Sequence, residues 1–464
     1  MRRVNILWTS AEIAKATSGT ASADFEVTGV TFDSREVRVG DLFVAMPGTV
    51  HDGHKFVEGA VAAGAAGALV SQPIDTPHVL VEDTARALED LGRASRARTT
   101  AKIIGVTGSV GKTSTKEALY AALDRCRRGR VHRSVKSYNN HTGVPLSLAR
   151  MPRDADYAVL EMGMNNAGEI AALTRMVRPH VALITAIAPA HIETLGSEEA
   201  IADAKAEIFE GLEPDGTAII PNDSPHRDRL VKAARRYAAN IITFGGGDAD
   251  IHALHAVTAG GGGSLITASL LDCDLTFTIA QRGDHWVTNS LAALAAVEAV
   301  GGDLAVAGLA LADMGGLKGR GERHQVKVEG GELLLIDESY NANPASMAAT
   351  LKSLGCEDAV ERRIAVLGPM RELGAHSDAL HAGLAPAIID AHVDRLILIG
   401  EEMRPLAESV VGKVGLDHVA NVEQATAALL SMLRPGDAVL VKASNSVGLA
   451  KLVEQVAGGQ PCST

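Results

Sequence analysis

The segment Lys102–Thr115, KIIGVTGSVGKTST, most constrains how this chain can fold, because an apolar strand runs into a glycine turn and then a helix start. Gly108 and Gly111 allow the backbone to curl so that N–H groups point at an anion, and the positive end of the following helix adds to the attraction. Lys112 can then reach the outer phosphates of a nucleotide, and Thr113 offers a hydroxyl to Mg²⁺. The segment therefore predicts a nucleotide phosphate site.

The flanking sequence distinguishes this motif from an incidental glycine turn. Gly-Lys-Thr stands between an apolar run and a helix with alanine and leucine periodicity over residues 116–123. The alternative is a plain strand–turn–helix whose lysine has no ligand, and the context favours ATP. The eight-residue P-loop pattern would need glycine at Val106, so the motif has the shorter G-x-x-G-K-[ST] form of a subfamily. A switch GTPase is disfavoured because the chain lacks an N-K-x-D base-reading motif.

Length and composition indicate an ordinary soluble globular protein. At 464 residues the chain is too long for one hydrophobic core, and its length suggests about three domains. Hydrophobic residues make up 46% and charged residues 22%, as in typical globular proteins. The net charge of −12 argues against a nucleic-acid binder. Two small basic clusters, 93–102 and 125–133, are interpreted as solvated helix ends and a linker.

The cysteines and the apolar segments indicate a cytoplasmic protein. Four cysteines are scattered without C-x-x-C or metal-type spacing, at Cys126, Cys273, Cys356 and Cys462. We therefore expect free thiols in a reducing compartment. The N-terminus lacks the long apolar region of a signal peptide. No membrane span is expected, since no run of about 18 uncharged apolar residues exists.

The order of strand-like and helix-like segments predicts an α/β protein of three domains, at residues 1–98, 99–321 and 322–464. The first is a small α/β unit. In the second, strands alternate with helices, which implies a parallel sheet whose functional residues lie at the carboxyl ends of the strands. The third repeats this rhythm and is predicted to have a dinucleotide-type fold, although it lacks a G-x-G-x-x-G turn.

Two further elements are predicted near the end of the second domain. A β-rich stretch that ends near Ala280 is expected to form a small antiparallel sheet packed beside the main one. A helix from Asn289 to Val300 is expected to close the domain.

Glu161 and His191 fall where a metal-nucleotide site would need them. Glu161 ends the strand-like run YAVLE, which places a carboxylate at the carboxyl edge of the sheet, and beside the phosphate loop if the two strands are neighbours. His191 lies in a loop just after another strand. A loop histidine is usually a surface residue, but its place at a second sheet-edge loop favours a functional role.

Lys205 and the segment 337–344 are further candidates. Lys205 lies within an amphipathic helix, and the sequence pattern alone favours a solvated lysine paired with Asp203, Glu207 or Glu210. The segment DESYNANP at 337–344 ends a strand with a cluster of hydrogen-bonding residues before a proline-started helix. Such a cluster is typical of a ligand-facing loop.

Taken together, eight motifs in chain order resemble the Mur ligases of bacterial cell-wall synthesis. They are TGSVGKTS (107–114), YNNHTGVP (138–145), EMGM (161–164), HIE (191–193), AKAEIF (204–209), HWVTN (285–289), GRGER (319–323) and DESYNANP (337–344). The likeness is greatest to the members that join D-alanyl-D-alanine to UDP-N-acetylmuramoyl-tripeptide. DSREVRVGDLFVA (33–45) and DGHKF (52–56) look like the UDP-binding domain of MurE and the dipeptide-adding members rather than that of MurC or MurD.

The resemblance implies roles in ATP and metal binding. ATP phosphates would contact the phosphate loop, at Thr107, Gly108, Ser109, Val110, Gly111, Lys112 and Thr113. Thr113 and Glu161 would hold one Mg²⁺, and His191 a second metal position. Lys205 matches a lysine that the family carbamylates, which would turn a cation into an oxygen ligand.

The remaining nucleotide and substrate contacts follow from the same resemblance. Asn289 and Arg320 would contact the nucleotide, with Arg320 stabilising phosphate charge across a domain junction. The adenosine end would contact Asp337, Tyr340 and Asn341. Ser34 and Arg35 would face the uridine diphosphate. The muramoyl-peptide path would include Asn139, Asn140 and Thr142.

The resemblance also implies a reaction. A peptide carboxylate attacks the γ-phosphoryl group of ATP to give an acyl phosphate, and the incoming amine then displaces phosphate. Domain closure would keep water from the acyl phosphate. We expect a cytoplasmic monomer that acts on UDP-N-acetylmuramoyl-tripeptide and D-alanyl-D-alanine, without nucleic-acid or membrane partners.

Two departures from the family pattern affect the third domain. The usual leucine-glycine-aspartate-methionine segment reads LGPM here, so Pro369 replaces the acid. The usual lysine-glycine-serine-arginine segment reads KASN, so Asn445 replaces an arginine suited to a carboxylate or a phosphate. Both departures call dipeptide contacts into question more than catalysis.

Other functions remain as alternatives. MurE usually carries an amino-acid-specifying motif that this chain lacks, and a folylpolyglutamate synthase would not need the UDP module. A non-catalytic ATP-binding scaffold would be expected to lose Lys112, Glu161 or Lys205, and all three are present.

Overall fold

A computed structural model describes residues 6–48, 52–259, 263–358 and 360–458. These residues form three α/β units in chain order, each with its own main sheet. The predicted fold class is therefore confirmed.

The structure also bears on the expected free thiols and on the expected lack of a membrane span. Three cysteines are exposed free thiols, Cys126, Cys273 and Cys356, whereas Cys462 lies outside the described residues. No helix in the described part of the chain is long and apolar enough to cross a membrane.

The first unit carries a five-stranded sheet and a separate two-stranded pair. The strands are β1 (Trp8–Thr9), β2 (Thr20–Ala21), β3 (Glu26–Val27), β4 (Gly29–Thr31), β5 (Asp41–Val44), β6 (Gly67–Val70) and β7 (His78–Leu80). The helices are α1 (Ser10–Thr17), α2 (Val57–Ala62) and α3 (Thr84–Ala97). The larger sheet has the order β2-β7-β6-β5-β4. Asp83 caps α3 by accepting hydrogen bonds from the N–H groups of Ala85 and Arg86.

The central unit carries a nine-stranded sheet in the order β16-β15-β14-β13-β12-β11-β8-β10-β9. The strands are β8 (Lys102–Thr107), β9 (Val131–Arg133), β10 (Tyr157–Glu161), β11 (Val181–Ile184), β12 (Thr217–Pro221), β13 (Asn240–Gly245), β14 (Ile251–Thr258), β15 (Ser264–Ser269) and β16 (Asp274–Ile279). The helices are α4 (Lys112–Cys126), α5 (Gly143–Ala149), α6 (Glu169–Val177), α7 (Ile192–Leu195), α8 (Glu198–Ala206), α9 (Arg227–Ala234), α10 (Asp284–Ala299) and α11 (Leu304–Asp313). Apolar residues of α4, α10 and α11 cover one face, and those of α5, α6, α8 and α9 cover the other.

The third unit carries a six-stranded sheet in the order β17-β18-β22-β19-β20-β21, parallel except for β17. The strands are β17 (Glu322–Val328), β18 (Gly331–Glu338), β19 (Arg362–Leu367), β20 (Arg395–Ile399), β21 (Gly415–Val419) and β22 (Asp437–Lys442). The helices are α12 (Pro344–Gly355), α13 (Ser377–Ala382), α14 (Ala385–Asp390), α15 (Arg404–Val410), α16 (Val422–Met432) and α17 (Ala450–Ala457). Apolar cores lie on both faces, as expected for a doubly wound sheet.

The register of three neighbouring central strands positions the candidate site. Parallel β10 and β8 place Glu161 opposite Val106, and parallel β8 and β11 place Thr107 opposite Ile184. The carboxyl ends of these strands therefore meet at one edge, where ligands bind in open parallel sheets.

Two expectations for the central unit are wrong. The β-rich stretch does not form a separate sheet, because β14 pairs with β13 and continues the main sheet through β15 and β16. Ile251, Ile266 and Phe277 join the apolar core under α10 and α11, so burial on that core fixes the position of these strands. Helix α10 begins at Asp284, directly after Gly283, and α11 rather than α10 ends the unit.

Arg96 on α3 ties the first unit to the central one. Its guanidinium donates to the carbonyl oxygens of Val177 and Arg178 at 2.8 Å each, and to a carboxylate oxygen of Glu213 at 2.7 Å. Its side chain is 8% exposed. Buried charge-assisted hydrogen bonds of this kind hold two units in one orientation.

We predict that Arg96→Leu lowers the free energy of unfolding by about 3 kcal/mol, because it leaves buried acceptors without a donor. The midpoint of urea denaturation measures the change. The matched control is Arg93→Leu on the exposed side of the same helix, where a change below about 0.5 kcal/mol is expected. Equal effects of the two substitutions would contradict a special role for Arg96.

Candidate active site

The phosphate loop has the backbone that its glycines were predicted to allow. Gly108 has φ 151° and Gly111 has φ 82°. A Cβ at Gly108 would lie 1.9 Å from Thr185 Oγ1, and one at Gly111 would lie 2.8 Å from Asn289 Oδ1. Side chains are therefore excluded at both positions by conformation and by space. No side chain of the described residues caps the first turn of α4, so the N–H groups at this helix start are available to bind an anion.

Thr185 holds the loop in this shape, and no sequence motif pointed to this residue. Its hydroxyl contacts the carbonyl oxygens of Thr107, at 3.2 Å, and of Val110. Ser109 is fixed nearby, since its hydroxyl donates to the carbonyl oxygen of Ala188 at 2.9 Å. Lys112 Nζ donates to the carbonyl oxygen of Gly108 at 2.6 Å. The loop is thus organised before any ligand enters.

Glu161 is the carboxylate at the centre of the site. It is 1% exposed, and its two oxygens accept hydrogen bonds from Thr113 Oγ1 at 3.0 Å and from Asn139 Nδ2 at 2.8 Å. The hydroxyl of Thr113 and the carboxylate of Glu161 are hard oxygen donors of the kind that Mg²⁺ prefers. The register of β8 and β10 therefore brings Glu161 next to the phosphate loop.

Lys116 is a buried cation that sequence reasoning missed. Its Nζ donates to the carbonyl oxygens of Ser134 at 3.0 Å and of Lys136 at 2.7 Å, and lies 4.0 Å from Glu161 Oε2. It follows Thr113 by three residues on α4, so both side chains lie on the same face of the helix. The three-residue spacing between Thr113 and Lys116 was the sequence feature that could have indicated a role for Lys116. Lys116 holds the segment that delivers Asn139 to Glu161.

Lys205 is buried, which contradicts the interpretation as a solvated helix lysine. It is 1% exposed. Within the described part of the chain its ammonium has no hydrogen-bond or ion-pair partner. The three carboxylates considered as partners bind elsewhere: Asp203 pairs with Arg229, Glu210 with Arg175, and Glu207 accepts backbone N–H groups of α6 and its cap. Burial, and secondarily the charge of Lys112, lowers the pKa of Lys205 well below its ordinary value.

His191 contacts the third unit through a residue that the sequence did not single out. Its Nδ1 lies 2.5 Å from Glu372 Oε2. The hydrogen bond from His191 holds the pKa of Glu372 below its ordinary value. Glu372 lies in the same segment as Pro369. Its contact with His191 joins residues far apart in the sequence, so no local sequence pattern could have indicated it.

Arg320 lies at the junction of the central and third units. Its guanidinium stacks on the ring of Tyr340 at 4.2 Å. The preceding Gly319 donates its N–H to Asp337 Oδ2 at 2.8 Å, and Ser339 donates to Asp337 Oδ1 at 3.0 Å. Asp337 is 1% exposed and supports this loop from behind.

A cavity of about 600 Å³ joins most of the predicted residues. Those that line it are Ser109, Val110, Gly111, Lys112, Thr113, Asn139, Asn140, Glu161, His191, Lys205, Asn289, Arg320, Tyr340 and Asn341. Burial lowers the pKa of Lys112 here, while the charge of Glu161 opposes that shift. Hard oxygens, a helix N-terminus and cations thus face one space, and this donor set fits a nucleotide with Mg²⁺.

Ser34, Arg35 and Thr142 do not line this cavity. The guanidinium of the exposed Arg35 donates two hydrogen bonds to Asp33 and its backbone N–H donates a third, and these bonds, the guanidinium ones most, lower the pKa of Asp33 to about 2. Thr142 donates its N–H to Asn140 Oδ1 at 3.2 Å. The turn that holds Ser34 and Arg35 reaches the central unit through Glu36, which accepts hydrogen bonds from Lys136 and Tyr138. It is therefore linked to the segment that carries Asn139.

Known proteins are similar to this chain over nearly its whole length. Three family models match in order: "Mur ligase family, catalytic domain" over residues 26–102, "Mur ligase middle domain" over 106–297, and "Mur ligase, glutamate ligase domain" over 319–445. A Synechocystis sp. protein named UDP-N-acetylmuramoyl-tripeptide--D-alanyl-D-alanine ligase is 35% identical over 453 residues, which cover 95% of this chain and 94% of that protein.

Two solved structures show the same architecture. A crystal structure of MurF from Acinetobacter baumannii gives a TM-score of 0.85 at 29% identity and covers 97% of this chain and 99% of that chain. MurF ligase from Thermotoga maritima in complex with ADP gives a TM-score of 0.77 at 27% identity and covers 93% of this chain and 97% of that chain.

We predict that Lys205→Met stabilises the protein at pH 7 by about 1–3 kcal/mol, because an apolar side chain replaces a buried amine that must either lose its proton or stay charged without a partner among the described residues. The free energy of unfolding is measured by urea denaturation in CO₂-free buffer. The folded-state pKa of Lys205 is lowered, so the unfolded chain binds more protons between that value and about 10.4. The stability of the unsubstituted protein then rises with pH in this window, and the advantage of Lys205→Met shrinks.

The matched control is Lys232→Met, which changes an exposed lysine on the neighbouring α9 and is expected to leave stability within about 0.5 kcal/mol. An Lys205→Met protein that is less stable than the unsubstituted one at every pH would show that the lysine has a charged partner.

Proposed function

The chain belongs to the Mur ligase family, and we propose that it is the ATP-dependent carbon–nitrogen ligase that joins D-alanyl-D-alanine to UDP-N-acetylmuramoyl-tripeptide. The names of its full-length relatives support this substrate pair. One structural observation carries the proposal: Lys112, Thr113 and Glu161 face the same cavity as Arg320 at the junction with the third unit. Phosphoryl transfer needs this combination of a phosphate loop, a hard oxygen site and an added cation.

The first step we propose is attack of the tripeptide carboxylate on the γ-phosphoryl group of ATP, which gives an acyl phosphate and ADP. Lys112 neutralises charge on the phosphoryl oxygens, and Arg320, fixed by Tyr340, adds a second positive charge. Bound Mg²⁺ supplies further positive charge that polarises the phosphoryl oxygens. Thr113 and Glu161 would hold it.

The second step is attack of the dipeptide amine on the acyl carbon. The carbon–oxygen bond to phosphate breaks, an amide forms, and the amine nitrogen loses a proton. Residues from all three units surround or support the cavity, so docking of the third unit keeps water away from the acyl phosphate. The product would be UDP-N-acetylmuramoyl-pentapeptide.

We assign substrates to the units on the same basis. Residues 1–98 would bind the UDP moiety through Ser34 and Arg35, with Asn139, Asn140 and Thr142 along the muramoyl-peptide path. Residues 99–321 would bind ATP. Residues 322–464 would receive the amine and contact adenosine through Tyr340 and Asn341, with Asp337 acting through the Gly319 loop. Pro369 and Asn445 are candidates for altered dipeptide contacts.

Free thiols support a cytoplasmic reaction.

We further propose that Lys205 is carbamylated and, with His191, serves a second metal position. In carbamylation the neutral amine adds to the carbon of dissolved CO₂ and releases a proton to solvent, and burial favours that neutral amine because it lowers the pKa of Lys205. The product carries an anionic oxygen in place of an ammonium, next to the cation of Lys112. The absence of a protein partner for Lys205 among the described residues supports this assignment.

The function is tested by phosphate release from ATP with UDP-N-acetylmuramoyl-tripeptide, with and without D-alanyl-D-alanine. We expect release that depends on the dipeptide and a product heavier by the dipeptide less one water, by mass spectrometry. Release that depends on a single amino acid would instead indicate a MurE-type ligase. No release with any amine would favour a non-catalytic scaffold.

Carbamylation is tested with Lys205→Ala. We expect ligation to fall by on the order of 100-fold while ATP still binds, since an oriented charge is lost but the phosphate loop is intact. Formate or acetate, small carboxylates that can occupy the vacated space, should restore part of the rate, whereas methylamine should not. Lys232→Ala serves as the control. Rescue by the amine alone would contradict carbamylation.

A further inference from the structure

The contact between His191 and Glu372 is a direct polar link from the third unit to the cavity edge of the central unit. Nδ1 of the histidine and Oε2 of the glutamate are 2.5 Å apart. His191 caps the start of α7, while Glu372 follows β19 in the third unit. The contact therefore exists only when the two units are docked.

The backbone on both sides of this contact is in an unusual conformation. His191 has φ 61° and Glu372 has φ 65°, in the left-handed region that residues other than glycine seldom adopt. Such backbone costs energy and persists where surrounding contacts enforce it, often at functional sites. The backbone N–H of Glu193 donates to the carbonyl oxygen of Glu372 at 3.3 Å. Two residues with strained backbone thus meet at a contact that both side-chain and backbone hydrogen bonds support.

The contact leaves one nitrogen of His191 available. Nδ1 is taken by Glu372, and Nε2 has no protein partner in the part of the chain that the structure describes. His191 lines the cavity that also holds Glu161 and Lys205, whereas Glu372 does not line it. A carboxylate that accepts from Nδ1–H fixes the tautomer in which Nε2 carries a lone pair for a cation.

We infer that Glu372 is a positioning residue that orients His191 toward a divalent cation, so that the second metal position is completed only when the third unit docks. This inference rests on the proposed function. The pair is too exposed to serve mainly as a stabilising salt bridge, since the Glu372 side chain is 53% exposed. Its effect is on geometry. It links cation binding to the unit that receives the amine.

The test uses Mn²⁺ as the probe, bound to the full chain with a non-hydrolysable ATP analogue. Pulsed electron paramagnetic resonance detects the coupling of Mn²⁺ to a ligating imidazole nitrogen, and titration gives the affinity. We expect the unsubstituted protein to show this coupling and His191→Ala to lose it. Glu372→Ala should weaken or lose it and lower Mn²⁺ affinity by about 10–100-fold.

Two variants separate positioning from simple structural damage. Glu372→Gln keeps an oxygen that accepts from Nδ1–H, so it should retain the coupling and bind Mn²⁺ within about threefold of the unsubstituted protein. Glu193→Ala removes an equal charge beside the same contact and should leave both readouts unchanged. Metal-free affinity for the ATP analogue should be unaltered in every variant, because the phosphate loop is untouched.

The outcomes distinguish this inference from the proposed function. If the unsubstituted protein ligates but shows no imidazole coupling, or if Glu372→Ala retains the coupling and the affinity, the inference is overturned and the function stands. Loss in Glu372→Gln equal to that in Glu372→Ala would also overturn it, since charge rather than orientation would then matter. Absence of ligation in the unsubstituted protein would contradict the proposed function.

Discussion

Burial of the Glu161 carboxylate is the constraint on which the rest of the site depends. A carboxylate that is 1% exposed is costly unless donors surround it. Thr113 and Asn139 donate to its oxygens, and the ammonium of Lys116 lies 4.0 Å away. These donors come from the helix after the phosphate loop and from the segment after β9. The hydrogen bonds to this one carboxylate therefore fix the phosphate loop, α4 and the segment that carries Asn139 relative to one another.

The same network extends to the outer units. Lys116 holds the carbonyl oxygen of Lys136, whose side chain pairs with Glu36 of the first unit. On the other side, Asp337 fixes the loop that carries Arg320. The phosphate site is thus made by the central unit but is supported from both neighbours. Support from three units suits a ligase that must keep an activated acyl group away from water.

Local patterns predicted the parts of the fold and site that depend on local chemistry. The strand at 157–161 matches residue for residue, and the glycine turn and Glu161 meet as the parallel register requires. Contacts between distant segments left no such signal. The amphipathic pattern around Lys205 favoured a solvated side chain, yet packing of α8 on the sheet buries it. The sequence identified the β-rich stretch that ends near Ala280, but only the packing of its strands under α10 and α11 determines which sheet they join.

Lys112 and Lys205 show how electrostatics can select a chemical state. Lys112 and Lys205 line the same cavity, and the charge of Lys112 adds to burial in disfavouring an ammonium at Lys205. Glu161 partly compensates Lys112, but Lys205 has no carboxylate partner among the described residues. A neutral amine relieves the repulsion, and a carbamate reverses it, since an anion beside Lys112 is attracted rather than repelled. The arrangement that makes a charged lysine unfavourable at this position is therefore the one that would favour the carbamylated form proposed above.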